Sequence, residues 1–234
     1  MQKLHRAQSA TLYILRHSTS ARFSELRKAA GLESDIFKFH IQTLQKLGYV
    51  SKLPDGAYEL TPAGREFANN LDDDQRTVQK QPKLSMLLFV TRQNDAGETE
   101  YLVQERLRHP FFGYVSCLSG PLQWGEAVEV TAGRELAKQT GLSAAFVIRG
   151  QYRQRDYSAV GGTLLEDKLF VVMEASAIHG TLQNTWPHGK NSWMTLAAIQ
   201  RLPKRFDSFL GALAMLQAGQ SAAVADTHYL PKDY

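Results

Sequence analysis

One cysteine, Cys117, is all that 234 residues contain. A lone thiol excludes an internal disulfide framework and any cysteine-based zinc site. Long apolar runs are missing as well. Stretches such as Met86 to Val90 are strand-sized and far too short to cross a bilayer. The start, MQKLHRAQSATLY, has no apolar run of the signal-peptide kind. These shortages set the expectation of a soluble, cytoplasmic protein without a membrane partner. Charge is also modest, at 21% charged residues and a net of +4. Its distribution is uneven. Residues 1–71 carry ten Lys/Arg against six Asp/Glu, whereas 72–83 hold three of each and 84–234 fourteen of each. An anionic partner is therefore favoured for the first third, with a solvated surface of mixed charge as the alternative. The hydrophobic content of 43% is ordinary for a globular chain, and the length admits two small domains.

The first third reads as a series of short elements. Leu4, Ala7, Leu12 and Leu15 recur at mostly helical spacing. A short helix is predicted over residues 25–30, with Ser24 as its cap and Gly31 in the turn that ends it. A further helix starts at Ser34 or Asp35 and runs to about Leu47. Its Phe37, Ile41 and Leu44 share one buried face. Residues 49–53 and 57–60 read as strands joined by Pro54-Asp55-Gly56. Thr61-Pro62 opens a last helix through Leu71.

That order is the order of a winged helix-turn-helix. The run FKFHIQTLQKLGYVSKLPDGAYELTPAG resembles regulators of the ArsR and MarR type, with a Gly-apolar-Val step after the recognition helix and a Tyr-x-Leu-Thr run closing the wing. The resemblance covers residues 4–71 and implies double-stranded DNA as a partner and a possible homodimer. The helix from Asp35 would enter the major groove, and the wing would meet the minor groove or backbone. Its solvent face offers Lys38, Phe39, Gln42, Gln45 and Lys46, of which glutamine suits adenine edges and lysine suits guanine or phosphate. Arg22, Arg27, Lys28 and Lys52 are candidate phosphate contacts. A winged helix that binds only protein is the alternative. His40 sits beside the buried stripe, as a packed side chain or as a contact.

Residues 72–83 are polar and read as a linker. Asp72 to Asp74 is a solvated charge run rather than a metal site, since no nearby sequence completes a ligand set. From Leu84 the pattern turns to strands, predicted over 84–92, 101–107, 115–118, 145–150 and 168–175, with a pair at 164–165. Trp193-Met194 begins a turn into a short helix near 196–201, and residues 204–218 are amphipathic. Residues 219–234 read as a polar tail. Strands mixed with helices around one sheet give a layered α/β arrangement.

The stretch GPLQWGEAVEVTAGRELAKQTGL, Gly120 to Leu142, carries the chemistry. It resembles the Nudix box, G-x5-E-x7-R-E-U-x-E-E-x-G-U with U apolar, at seven of nine specified positions. The two that depart are Lys138 and Gln139, where the family has glutamates. The resemblance implies an α/β/α sandwich with a mixed sheet over residues 84–218. It implies structural duties for Glu126, Arg134, Leu136, Gly141 and Leu142, with Glu126 and Arg134 as a buried salt bridge. Gly120 would let the backbone approach a phosphate or metal. Arg106 would meet substrate phosphate, or form a surface salt bridge. Trp124 would stack a base or cover the core.

Nudix enzymes hold Mg²⁺ among carboxylates on the box helix. The ion takes oxygen ligands, polarises phosphoryl oxygens and activates a water. Glu135, Lys138 and Gln139 stand at i, i+3 and i+4, on one helical face. A unit charge pair at about 4 Å is worth about 4 kcal/mol at an effective dielectric of 20. Two lost carboxylates and one added ammonium therefore weaken Mg²⁺ by orders of magnitude. No catalytic residue and no cofactor are expected, and Glu135 is the residual metal candidate. Lys138 either drifted on an exposed helix or neutralises a diphosphate without activating water. The first reading is a DNA-binding transcription regulator whose degenerate Nudix-like domain senses a nucleoside-diphosphate-type metabolite, with an ADP-ribose-like molecule as the guess for the effector. Nudix-type repressors of NAD metabolism are similar in logic but carry the two domains in the reverse order. The alternative is an active Mg²⁺-dependent Nudix hydrolase with an accessory winged helix, whose extra ligands would come from outside the box. Glu129, Glu166, Asp167 and Glu174 are the acids at hand.

Overall fold

The computed structural model describes residues 4–71 and 81–234. Asp72 to Asp74 and the linker through Lys80 lie outside the described residues. The chain divides into two compact units, Met1–Lys80 and Gln81–Tyr234.

The first unit is compatible with a helix-turn-helix. Helix α1 spans Arg6–Arg16, α2 Phe23–Ala30 and α3 Ser34–Lys46. Strands β1 (Val50–Lys52) and β2 (Tyr58–Leu60) form an antiparallel hairpin, and α4 spans Pro62–Asn69. The expected face of α3 is buried: Phe37, Ile41 and Leu44 are each at most 1% exposed. They pack with Leu12, Leu15 and Leu26 into one core. Gly31 is left-handed at φ 65°, and Thr61 caps α4 by accepting from Gly64 N at 3.0 Å.

Two expected caps do not form. Helix α2 starts one residue before Ser24, and Glu25 instead accepts from Arg22 N at 2.6 Å. Helix α3 begins at Ser34 with Glu33 before it, and no side chain caps it. His40 is a packed histidine, 8% exposed, with its ring stacked on that of His5 at 4.2 Å.

The second unit is one mixed sheet with a core on each face. Its strands are β3 (Lys83–Phe89), β4 (Thr91–Gln93), β5 (Thr99–Arg106), β6 (Val115–Pro121), β7 (Ser143–Ser158), β8 (Leu164–His179), β9 (Thr185–Trp186), β10 (Gly189–Thr195) and β11 (Ala222–Tyr229). Helix α5 spans Val128–Thr140, α6 Leu196–Gln200 and α7 Asp207–Gln217. The order is β11-β7-β8-β3-β6-β5-β10-β9, with β4 paired to β5. The β3–β8 and β11–β7 pairs are parallel and the rest antiparallel.

Alternation splits the strands between two cores. Met86, Leu88, Leu102, Leu118 and Met173 face Ala132 and Leu136 of α5. Leu87, Phe89, Val103 and Val172 face Phe209, Ala212 and Leu213 of α7. This is the α/β/α layering expected from the box.

Three expectations need correction. The strand segments expected within 145–175 extend into one long hairpin, β7–β8. Trp193 and Met194 lie inside β10, paired with Leu102 and Tyr101, and do not begin a turn. Residues 219–234 are not a tail. They supply β11 and a final turn, Pro231–Asp233, where Asp233 O accepts from Phe111 N at 3.2 Å. The strand hides from a hydrophobicity scan because its residues are mainly half-buried or exposed, with only Tyr229 buried.

Candidate functional site

Box helix α5 lies against strand β6, and this brings the chemistry-bearing positions together. Glu135 is 4% exposed and both its oxygens are engaged. Oε1 accepts from Arg134 Nη1 at 2.5 Å and lies 3.7 Å from Lys138 Nζ. Oε2 accepts from Gln139 Nε2 at 3.0 Å. Gln139, 2% exposed, also donates to Ser119 O at 3.0 Å, and its Oε1 accepts from Gln104 Nε2 at 3.3 Å. Gln104 donates to Asn191 Oδ1 at 2.9 Å, and Asn191 Nδ2 donates to Gln139 O at 2.8 Å. A closed network of amides thus fills the surroundings of the one remaining box carboxylate.

These residues do not fit a Mg²⁺ ion. The cation needs several hard oxygen ligands. Glu135 already accepts from an arginine and an amide, Lys138 adds positive charge, and no cluster of three or more His, Cys, Asp or Glu able to hold a metal occurs among the described residues. Three of the other acids are engaged in ion pairs, Glu166 with Lys83 and Lys168. Asp167 pairs with Arg153 at 2.7 Å and Glu174 with Arg149 at 3.1 Å.

The structural box residues hold their expected places, with one difference. Leu136 and Leu142 are in the core, and Gly141 ends α5 in the left-handed region at φ 73°. The Glu126–Arg134 bridge, 3.0 Å long, is not buried: the side chains are 22% and 41% exposed. Thr131 Oγ1 adds a bond to Glu126 at 2.7 Å, which keeps the loop on the helix although an exposed pair alone contributes little. Gly120 has a steric reason of its own. A Cβ there would stand 2.8 Å from Glu135 Cγ.

Two cavities open beside strand β6. One, of about 310 Å³, is lined by Glu135, Lys138, Gln139, Gln104, Trp186 and His188 among others. The second, of about 220 Å³, has Gly120, Lys83, Gln154, Asp156, Glu166 and Lys168 in its wall. Arg106, Arg108, Ser116, Ser119 and Phe206 line both. Arg106 is neither free nor in a salt bridge. Its Nε donates to Pro110 O at 2.6 Å and to Arg108 O at 3.1 Å, so the guanidinium braces the loop after β5. Burial and the adjacent Arg108 guanidinium lower its pKa, against the pull of Glu166. Neither arginine has a carboxylate partner among the ion pairs of the described residues. Two unneutralised guanidiniums where two cavities meet form an anion-attracting centre.

Ion pairs run through the second cavity. Asp156 Oδ2 lies 3.2 Å from Lys168 Nζ, which lies 2.5 Å from Glu166 Oε2, and Glu166 Oε1 lies 2.8 Å from Lys83 Nζ. Burial raises the Asp156 carboxyl despite Lys168 and Gln154. Burial also pushes Glu166 upward, but the two lysines outweigh it and its pKa falls. Cys117 lines the first cavity, yet burial pushes its thiol up to about 12, so it offers no thiolate at neutral pH.

The candidate residues divide accordingly. Arg106 and Gly120 reach the second cavity, and Arg106 and Lys138 the first. Trp124 reaches neither. At 98% exposure it does not cover the core, which corrects that option. Reading the sequence missed Arg108, Gln154, Asp156 and Lys168. A signal was present for two of them, because Tyr152, Gln154 and Asp156 alternate on β7 as one buried face.

No protein-family model matches the chain, and no curated protein matches it. Solved structures do. The NUDIX domain of Shewanella oneidensis NrtR, complexed with ADP ribose, is 20% identical at a TM-score of 0.50, over 68% of this chain and 98% of that one. A MutT protein from Bacillus halodurans is 18% identical at a TM-score of 0.50, over 65% of this chain and 93% of that one. The fold is that of NUDIX domains. No helix among the described residues is long and apolar enough to cross a membrane.

Proposed function

We propose that this protein is a DNA-binding transcription regulator. Its Nudix-type unit binds a nucleoside-diphosphate-type metabolite without hydrolysing it and needs no metal. The observation that carries the second half is the Gln139–Glu135 bond at 3.0 Å, beside Lys138 Nζ at 3.7 Å. An amide and an ammonium stand where a magnesium site needs carboxylates. The cationic centre of Arg106 and Arg108, with Lys138 on the rim, attracts the diphosphate. Water activation has no agent in this arrangement. The neighbouring NrtR domain holds ADP ribose, which makes that molecule the first ligand to test.

The first half rests on α3. Its Lys38, Phe39, Gln42 and Lys46 are exposed and Gln45 is half-buried, while the opposite face packs into the core. Arg22, Lys28 and Lys52 are exposed and Arg27 is half-buried, in reach of a backbone running past the helix and wing. As a homodimer the protein would meet two half-sites.

The test has two arms. Fluorescence anisotropy with labelled duplex DNA should show binding that falls steeply as salt rises, and ADP-ribose should change that affinity by the coupling between the two sites. In EDTA, ADP-ribose should raise the melting temperature. Release of AMP and ribose 5-phosphate from ADP-ribose with Mg²⁺ at an enzymatic rate would overturn the sensor reading. An absence of DNA binding at low salt would overturn the regulator reading.

A further inference from the structure

The second cavity has an unusual balance of hydrogen-bonding groups. Gln154 is 3% exposed and its orientation is fixed, because Nε2 donates to Asp156 Oδ1 at 3.0 Å and to Thr227 Oγ1 at 2.8 Å. That leaves Oε1 buried with no partner. An unmatched buried acceptor is costly, and such a group in a cavity wall points to a missing donor. The carboxylates beside it have spare capacity too. Asp156 Oδ1 accepts from Gln154 and Oδ2 from Lys168, while Glu166 takes one bond from each of its lysines. A carboxylate offers about four lone-pair sites. The lysine charges are cancelled locally by these two acids, so this end of the cavity does not call for a second anion. The surplus positive charge stays at Arg106 and Arg108. Phe111, Phe170 and Phe206 give the same cavity an apolar side.

We infer that this cavity selects a ligand group with two or more adjacent hydrogen-bond donors, received by Gln154 Oε1, Asp156 and Glu166, while the arginine pair holds the adjoining diphosphate. The inference rests on the proposed binding of a nucleoside-diphosphate-type molecule. The same donor pattern occurs in the vicinal diol of a sugar and in the N–H edge of guanine. An adenine edge does not supply it, since its amino group is flanked by ring nitrogens that are acceptors and would face the carboxylates. A site built around such groups discriminates strongly against a ligand that leaves them unpaired.

Isothermal titration of the full chain in EDTA with 2′,3′-dideoxy-ADP, ADP-ribose and 2′,3′-dideoxy-GDP tests this, since the first has neither a diol nor a guanine edge. ADP-ribose or dideoxy-GDP should bind roughly tenfold or more tightly than dideoxy-ADP, and the stronger of the two identifies the source of the donors. Asp156→Asn should reduce that preference, read as the ratio of the affinities. If the Asp156→Asn protein does not fold, Glu166→Gln carries the same test. Equal affinity for all three ligands in the unaltered protein would overturn this inference and leave the diphosphate reading standing. No binding of any of the three would overturn both.

Discussion

Gln139 Nε2 donates to Glu135 Oε2 across 3.0 Å, inside a space where both side chains are almost wholly buried. A second carboxylate at position 139 would face the first at that distance and repel it unless a cation stood between them. Glutamine removes the need for the cation. A hydrogen bond therefore holds the two side chains together without a metal, and Gln104 and Asn191 extend that bond into a network.

Completing the motif should create a need for the cation. The double variant Lys138→Glu with Gln139→Glu should lose on the order of 2 kcal/mol of stability without metal, since like charges are buried together and Ser119 O loses its donor. Millimolar Mg²⁺ should recover part of that loss, as ligand binding to the folded state requires. The unaltered protein should show no Mg²⁺-dependent change. Thermal melts with EDTA and with Mg²⁺ decide it, and an equal Mg²⁺ response in both proteins would show that the charge argument fails.

Gly120 and Gly133 offer a matched pair. A Cβ at Gly120 would stand 2.8 Å from Glu135 Cγ and 3.2 Å from its Cδ. Glu135 cannot retreat, because Arg134 and Gln139 hold both its oxygens. Gly120→Ala should cost about 1–3 kcal/mol through overpacking. Gly133 is inside α5 with nothing nearer than Ala144 O at 4.0 Å. Gly133→Ala should stabilise by roughly 0.5–1 kcal/mol through helix propensity. Urea unfolding of the two variants should move the midpoint in opposite directions.

Acid should weaken the first unit through His40. Burial, followed by the charge of neighbouring His5, lowers the His40 pKa from 6.5. The unfolded chain then binds more protons than the folded one as pH falls below 6.5. Stability is present in full above 6.5 and is lost as pH drops toward the lowered folded value. Its Nδ1 is buried without a partner, so the neutral ring has no bond to lose. His40→Phe should flatten the pH dependence of melting below 6.5 without lowering stability at pH 8. A slope unchanged from that of the unaltered protein would assign the acid sensitivity to other groups.

Local patterns made the fold legible where each residue's neighbours in sequence are also its neighbours in space. The period of Phe37, Ile41 and Leu44 found the buried face of α3, and Thr61-Pro62 found the start of α4. The box spacing found α5 and the glycine that ends it. Strand β11 was not legible, because it is mostly half-exposed and owes its place to β7, some seventy residues earlier. The second cavity was hidden for the same reason. Asp156, Glu166 and Lys83 meet only when β7, β8 and β3 lie side by side, and no linear spacing encodes that order. Single caps failed where the backbone found another donor or acceptor, as Glu25 did at the start of α2.

The exposed face of α3 should separate affinity from sequence preference. Lys38 and Lys46 are exposed, with no ion pair among the described residues. If each meets a phosphate, Lys38→Ala and Lys46→Ala should weaken binding to all duplexes alike and reduce the salt slope by about one each. Gln42, on the same face, can bond an adenine edge in two places. Gln42→Ala should cost about 1–3 kcal/mol on the preferred duplex and little on others. None of the three changes should alter thermal stability by more than about 0.5 kcal/mol, because none of these side chains is buried. Binding curves on a preferred and a scrambled duplex at two salt concentrations distinguish the roles. Unchanged affinity in all three variants would move the interface off this helix and favour a winged helix that contacts protein.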